Sequence, residues 1–314
     1  MSKEKKLIHV GKISGGETSG VLMGLLESKK KNDGWEVVHI YNETGQEADE
    51  TYEFLRELAA HYKTEIICLK PLISNIKNIG VTCKVISTDG IGHDKTIIDD
   101  LFESYGTMTI NSRMCTSRMK SEPTAKYCNA VFGKRNYKLW LGIRADEPAR
   151  IKEFNEQMDL FQSEMKRKKQ KPDCEIGYMA QISDLTKQDV KDYWSEMPFR
   201  LKIHNKPFLG NCLFCPHKEI SRIALAARYY PERANEFIKQ SESESVKEHD
   251  RKDGEGNLMP SSMMYRGFHS LRSIIETYKE FPTEELEAQI SRGNKFKDKG
   301  CGSSCIDYGQ LDMF

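Results

Sequence analysis

"KLIHVGKISGGETSGVLMGLLESKK", residues 6–30, sets an apolar run, a glycine-rich turn and a second apolar run end to end. KLIHVGKIS reads as a strand, and TSGVLMGLLESKK places Val21, Leu22, Leu25 and Leu26 on one face of a helix. Two adjacent glycines between such elements let backbone N–H groups approach an anion closely, and the helix N-terminus adds unsatisfied donors and partial positive charge. Ser14, Thr18 and Ser19 can donate further hydrogen bonds. The turn is therefore built like an anion cradle, although a Gly-Gly pair also suits a plain turn. It is neither the Walker pattern, because no Gly-Lys-Ser/Thr follows at the right spacing, nor the dinucleotide G-x-G-x-x-G.

Working outward, WEVVHIYNET (35–44) reads as a second strand, ADETYEFLRELAAHYK (48–63) as a helix, EIICLK (65–70) as a third strand and YKLWLGI (137–143) as a fourth. Residues 73–112 carry a weaker pattern, with DKTIIDDLFESY as a helix. SEPTAKYCNAVFGK begins as a helix and reaches Gly133 near its end. Alternation of strand and helix favours an α/β fold with a parallel sheet. Apolar residues at 154, 158, 161 and 165 predict an amphipathic helical insertion over about 151–172. Its basic end, Lys166 to Lys171, reads as a solvated helix terminus and linker, with a nucleic-acid patch as the competing reading. Thr186 and Asp189 form a capping pattern ahead of a helix, and Ser241 to Gly256 reads as an exposed loop or weak helix. This divides the chain into an α/β domain over 1–235 and a C-terminal helical segment with a Cys-bearing tail over 236–314.

The 314 residues suffice for a sizeable core. With 48 Lys and Arg against 47 Asp and Glu, the molecule makes no general electrostatic claim on DNA or an anionic membrane, so any nucleic-acid contact must come from a local patch. MSKEKKLIHV is too short for a signal sequence, and no run approaches the roughly 18 apolar residues of a spanning helix. The expectation is a soluble cytoplasmic protein with no membrane partner; a homo-oligomer is compatible with it. Nine cysteines are many for a compartment where disulfides rarely persist, which points to metal ligands or redox groups.

Strand two ends in YNETGQE, bringing Asn42, Thr44, Gly45 and Glu47 to the carboxyl edge of the sheet, where open α/β folds bind ligands. Strand four ends in LGIRADEPAR, where Arg144 either pairs with a neighbouring Asp or sets its planar fork against a phosphate. CLFC brings Cys212 and Cys215 to the spacing with which one loop presents two thiolates to a metal; a buried apolar pair is the alternative. With CGSSC (301–305) it could also form a four-thiolate zinc site. Cys68 sits in a strand pattern and reads as core, and Cys83 and Cys174 belong to no constellation.

In this order, SGGETS, NETGQE, RMCTSRMKSEP (113–123), GIRADE, ISDLTKQDV (182–190) and GNCLFCPHK (210–218) resemble the phosphoadenosine phosphosulfate reductase family of the PP-loop nucleotide superfamily. The resemblance spans about residues 6–235. It implies a twisted, mostly parallel sheet flanked by helices that binds ATP, with Mg²⁺ as its companion, or an adenylyl sulfate, and acts at the phosphate linkages. It also implies that Ser14, Gly15, Gly16, Thr18 and Ser19 hold phosphate, that Asn42, Thr44 and Gly45 belong to the same site, and that Gly142 and Arg144 face the nucleotide. Many relatives carry Lys or Arg where this chain has Glu17; a carboxylate there is compatible with phosphate only if it turns outward or meets a cation.

Iron–sulfur members of the family have a cluster Cys matching Cys115 and a C-x-x-C matching Cys212 and Cys215. The adenylylsulfate reductases use two adjacent cysteines in the first segment, whereas here Thr116 follows Cys115. A 4Fe–4S cluster would take its fourth ligand from Cys301 or Cys305, with Cys128 behind them. Alternatively, Cys301 and Cys305 are catalytic: relatives place a nucleophilic Cys in a C-terminal Glu-Cys-Gly segment, which Cys301-Gly302 matches in part. The implied chemistry is either thiol-driven reduction of a sulfonucleotide or ATP-dependent sulfur transfer onto a nucleic acid or small molecule, with a thiol reductant or sulfur-donor protein as partner. A competing class is a nucleotide-binding regulatory protein with a structural zinc site, which Glu17 favours.

Overall fold

The structure is a computed structural model that describes residues 6–293, apart from 75, 77, 78, 113, 249–251, 253 and 254. Its centre is β1 (Ile8–Ile13), paired in parallel with β2 (Glu36–Asn42) on one side and β5 (Tyr137–Leu141) on the other. β3 (Ile66–Ile73) adds to β2 in parallel, and β4 (Val81–Ile86) closes that edge as an antiparallel hairpin partner. β6 (Glu175–Tyr178) pairs in parallel with β5, giving the order β4-β3-β2-β1-β5-β6. The chain thus builds outward from β1 and then returns across it to β5. Connections leaving the carboxyl ends of β1 and β5 diverge, and the crevice between them is the topological switch point where such sheets take ligands.

Side chains alternate across β1. Ile13 joins a core with Leu22 and Leu26 of α1 (Glu17–Asp33) and Tyr52, Leu55 and Leu58 of α2 (Asp49–Tyr62). Val10 faces the opposite layer with Ile40, Leu69, Tyr137 and Leu139, covered by Cys128 of α5 (Glu122–Val131). Each fully buried Leu in these layers contributes roughly 2 kcal/mol of transfer free energy. α1 stops at Gly34, whose φ of 67° supplies the left-handed cap.

Between β4 and β5 run α3 (Thr96–Tyr105), a short α4 (Met114–Thr116) and a π turn (Ser117–Ser121) that leads without a break into α5. The sequence suggests a helix starting at Ser121; the structure starts it earlier. In the π turn the Glu122 N–H bonds the Ser117 carbonyl, so the helix re-registers just before Pro123, which has no N–H to offer. α6 (Pro148–Arg167) begins at its proline and buries Phe154, Phe161 and Met165 against β5 and β6. α7 (Lys187–Glu196) opens on the expected capping box, with the Thr186 N–H bonded to the Asp189 carboxylate at 2.7 Å.

The remaining helices, α8 (Ile220–Tyr229), α9 (Pro231–Ser241), α10 (Leu271–Thr277) and α11 (Thr283–Gly293), pack on one another and reach back to the sheet. On α9, Arg233 donates to the Glu47 carbonyl at 2.7 Å and the Tyr230 hydroxyl to Glu50 at 2.6 Å, fixing the β2–α2 loop. Among the described residues no helix is long and apolar enough to cross a membrane.

Candidate functional site

The turn between β1 and α1 stands at the switch point. Gly15 has a φ of 78°, and a Cβ there would lie 2.3 Å from Thr51 Cγ2, so backbone and packing both demand glycine. Gly16 is different. Its nearest neighbour would be Ser14 Oγ at 3.7 Å, so its missing side chain leaves an open cradle that the packing does not require. As the N-cap of α1, Gly16 also provides no side-chain acceptor for the first helical N–H groups. Ser19 shapes the turn: its hydroxyl accepts from the Ser14 N–H at 3.2 Å and donates to the Gly16 carbonyl at 2.8 Å.

Glu17 is held by two partners from the segment after β6. Its carboxylate is turned onto Arg200, 2.7 Å from Nε, and its carbonyl accepts from Trp194 Nε1 at 2.9 Å. Arg200, from the segment after α7, thus sets a cation beside the turn.

Across the crevice, Arg144 follows β5. Its Nη1 donates to Thr18 Oγ1 at 3.3 Å and its Nε to Asp146 at 2.8 Å, so the guanidinium ties the β5 end to the first turn of α1. Gly142 lies against the Ser19 backbone, where a Cβ would be 3.7 Å from the Ser19 N. Ser14, Gly15, Gly16, Thr18, Ser19, Gly142 and Arg144 are thus brought together.

The YNETGQE segment lies on the far side of β1 and is more deeply packed. Asn42 is 5% exposed and accepts at Oδ1 from Lys12 Nζ and Thr124 Oγ1. Thr44 is fully buried beside Cys212, at 3.5 Å, and Gly45 (φ 67°) presses on the Asp94 backbone. Beneath the loop, Glu43 accepts from the Gly45 N–H at 2.7 Å, the Gly92 N–H at 3.2 Å and the Tyr52 hydroxyl at 3.3 Å. Burial nonetheless pushes its carboxyl up to about 7. Glu43 also lines a cavity of about 370 Å³ with Lys70, Lys84, His93 and Asp94, at the root of the β3–β4 hairpin and away from the glycine-rich turn.

The same loop holds the cysteine corner. The Leu213 N–H bonds the Gln46 carbonyl at 2.7 Å, and Cys212 Sγ lies 3.5 Å from Glu47 Oε1. Cys115, from α4, is buried, and the neighbouring Cys215 adds to the burial that opposes its ionisation. Lys120, on the π turn, faces all of them. Burial would lower its ammonium, but Cys212, Glu47, Cys115 and Cys215 together hold it above its ordinary value. Burial in turn pushes the Cys115 thiol up to about 11 and Cys212 higher still. Lys218 is buried behind the loop, bonded to the Phe208 and Leu213 carbonyls at 2.8 and 3.3 Å and pulled down to about 8 by that burial.

Among the described residues no three metal-ligating side chains are close enough to hold an ion. What the corner does show is donor chemistry of the soft kind, thiols beside a cation. Three soft ligands from two segments converge on a buried ammonium that offsets negative charge, and Glu47 Oε2 is buried with no hydrogen-bond partner. Cys301 and Cys305 lie outside the described residues. Cys128 belongs to the opposite layer of the sheet, with Cys83 and Cys174, and Cys68 is fully buried core as expected.

Lys12, Glu43, Lys120, Arg200 and Lys218 are not evident from the sequence motifs. Lys12 and Lys120 had a usable signal: one is a cation in an otherwise apolar strand, the other stands five residues after Cys115 in the RMCTSRMKSEP segment.

The phosphoadenosine phosphosulfate reductase domain model matches residues 8–202, more than half of the chain. It takes in the turn, Cys115, Arg144 and Arg200 but stops short of CLFC. Along nearly its whole length the chain is similar to the uncharacterized nin region protein ORF290 of Escherichia phage lambda, at 33% identity over 311 residues that cover 98% of each protein.

Proposed function

The chain belongs to the phosphoadenosine phosphosulfate reductase domain family, and on that footing we propose that it is an enzyme that binds an adenine nucleotide, ATP or an adenylyl sulfate, at the β1–α1 turn and directs it into sulfur chemistry. One observation carries the reading. Gly16 leaves a cradle that the fold does not need, at an uncapped helix N-terminus, with Arg144 reaching the same turn from β5. In this reading the turn amides and the Ser14 and Thr18 hydroxyls hold phosphate oxygens, Ser19 contributes by shaping the turn through its bond to the Gly16 carbonyl, and Arg144 offsets charge at the phosphate linkage.

Cys115, Cys212 and Cys215 would hold a 4Fe–4S cluster, completed by Cys301 or Cys305; bound there, the cluster would supply charge and redox capacity next to the nucleotide. In the reductive version Cys301 and Cys305 are free thiols in place of any ligand role: the Cys301 thiolate attacks the sulfur of a sulfonucleotide, forming an S–S bond as the S–O bond to phosphate breaks. Attack by Cys305 then releases sulfite and leaves a disulfide for a thiol reductant to restore. In the ATP version, pyrophosphate leaves and an acceptor, a nucleic acid or small molecule, is activated for sulfur from a donor protein. The feature favouring a non-catalytic nucleotide binder was Glu17, and its pairing with Arg200 removes that argument.

Pyrophosphate release from ATP, assayed beside sulfite release from each sulfonucleotide, separates the two versions. Replacing Ser14 and Gly16 together should abolish whichever activity is found; unchanged turnover would refute the turn as the site.

A further inference from the structure

β1 carries a half-buried lysine near its carboxyl end. Lys12 Nζ donates to Asn42 Oδ1 and, at 2.6 Å, to Thr124 Oγ1, and the Thr124 hydroxyl donates onward to Asn42 Oδ1 at 2.9 Å. Both acceptors are neutral, and among the described residues no carboxylate pairs with the ammonium. An ammonium has three hydrogens, so one remains. The Asn42 amide nitrogen is buried and has no hydrogen-bond partner. An unpaired buried donor costs about 1–3 kcal/mol, and a buried cation facing only dipoles is costlier. What remains unsatisfied in this group is donors and positive charge alone, and the chemistry that completes it is an oxyanion.

Its place in the fold agrees. Lys12 and Asn42 end neighbouring strands at the carboxyl edge of the sheet, with Lys12 two residues before Ser14. Thr124 is on the first turn of α5, which continues the π turn bearing Lys120. The group therefore lies at the carboxyl edge of the sheet on the face covered by α5, with Lys120 as its charged neighbour toward the cysteine corner. The titratable groups facing Lys12 are Cys128 of α5 and Lys120; β2 contributes the neutral Asn42. Burial pulls the ammonium down to about 7, Cys128 opposes that, and Lys120 adds to it.

We propose that Lys12, Asn42 and Thr124 form an oxyanion seat that takes a phosphoryl or sulfuryl oxygen of the bound nucleotide, beyond the part held by the glycine-rich turn. This rests on the nucleotide reading above and adds to it a grip that no motif announces.

Calorimetric titration of the full chain with ATP, adenosine 5′-phosphosulfate and uncharged adenosine, in the wild type, Lys12→Met and Asn42→Ala, tests it. Lys12→Met should weaken both charged ligands about ten- to a hundredfold and leave adenosine unchanged, with Asn42→Ala smaller in the same direction. Between pH 6.5 and 8.5 the wild type should lose affinity relative to Lys12→Met, because above about 7 the seat must take up a proton to bind. Equal affinities in wild type and Lys12→Met overturn the seat and leave the turn intact. If Lys12→Met does not fold, Lys12→Gln and Asn42→Ala carry the same comparison. If no adenosine compound binds the wild type, the nucleotide reading falls, and inorganic sulfate becomes the probe. A sulfate-dependent rise in wild-type Tm that is absent from the Lys12 variant then supports the seat; no difference overturns it.

Discussion

The glycine-rich turn and the cysteine corner both stand on the carboxyl side of the sheet, yet they are built on opposite plans. The turn is short in sequence, fixed by a strand before it and a helix after it, and its open space exists without a ligand. The corner gathers α4 and the 210–218 loop around Lys120, with the Cys115 and Cys212 thiols held toward the neutral form by burial and, among the described residues, no three ligands grouped to hold an ion. A preorganised anion site needs only backbone geometry, which folding supplies. The proposed thiolate site would need protons to leave, so its assembly would be tied to binding, with the Lys120 ammonium beside it to offset the charge.

That contrast is broken most easily from the cysteine side. Replacing Cys115, Cys212 or Cys215 by Ser should remove bound iron or zinc almost completely, read by metal analysis and visible absorption under anaerobic purification, while nucleotide affinity stays within about twofold. If nucleotide binding collapses together with the metal, the two regions are one site and the separation is wrong.

From the other side, two neighbouring glycines should behave differently. Gly15→Ala forces a left-handed residue against Thr51 and should cost about 2 kcal/mol or more in stability by chemical denaturation. Gly16→Ala should leave stability nearly unchanged while lowering nucleotide affinity tenfold or more. A comparable loss of stability in both would mean that the cradle at Gly16 belongs to the fold alone. Smaller still is the effect of Arg200→Ala, which leaves the Glu17 carboxylate facing the phosphate site. Affinity should drop roughly three- to tenfold at low salt, less at high salt, and return in the double variant with Glu17→Gln.

The same contrast explains what the sequence made legible. β1, β2, β3 and β5, their helices and the turn announce themselves because each is a local pattern. β4 escaped because VTCKVI is an edge strand with mixed exposure that pairs antiparallel within a hairpin, and β6 because EIGY is four residues long and contains a glycine. The π turn has no periodicity of its own. Lys12 and Arg200 acquire their roles through partners 30 and 183 residues distant, Asn42 and Glu17, and pattern reading does not reach that far.

The loop after β2 joins the two regions, and its buried acid gives the finest test. Glu43 titrates at about 7 in the folded protein, against an ordinary value of 4.5. Between these values the folded state binds more protons than the unfolded chain, so stability from this group is complete below about 4.5 and lost as pH rises through 7. Lys12, at about 7 against 10.5, acts in the opposite sense in the next window: the unfolded chain binds more protons there, and stability recovers as pH rises above 7. Denaturation profiles of the ligand-free protein should therefore dip near neutrality, each group contributing a slope of up to about 1.4 kcal/mol per pH unit, with Lys218, at about 8 against 10.5, adding to Lys12 on the alkaline flank. Glu43→Gln, which imitates the neutral acid, should flatten the acidic flank alone, and Lys12→Met should lessen the alkaline flank alone. An acidic flank unchanged by Glu43→Gln would mean that this carboxyl is not held neutral beneath the loop, and that the loop's burial does not set the charge on which the cysteine corner closes.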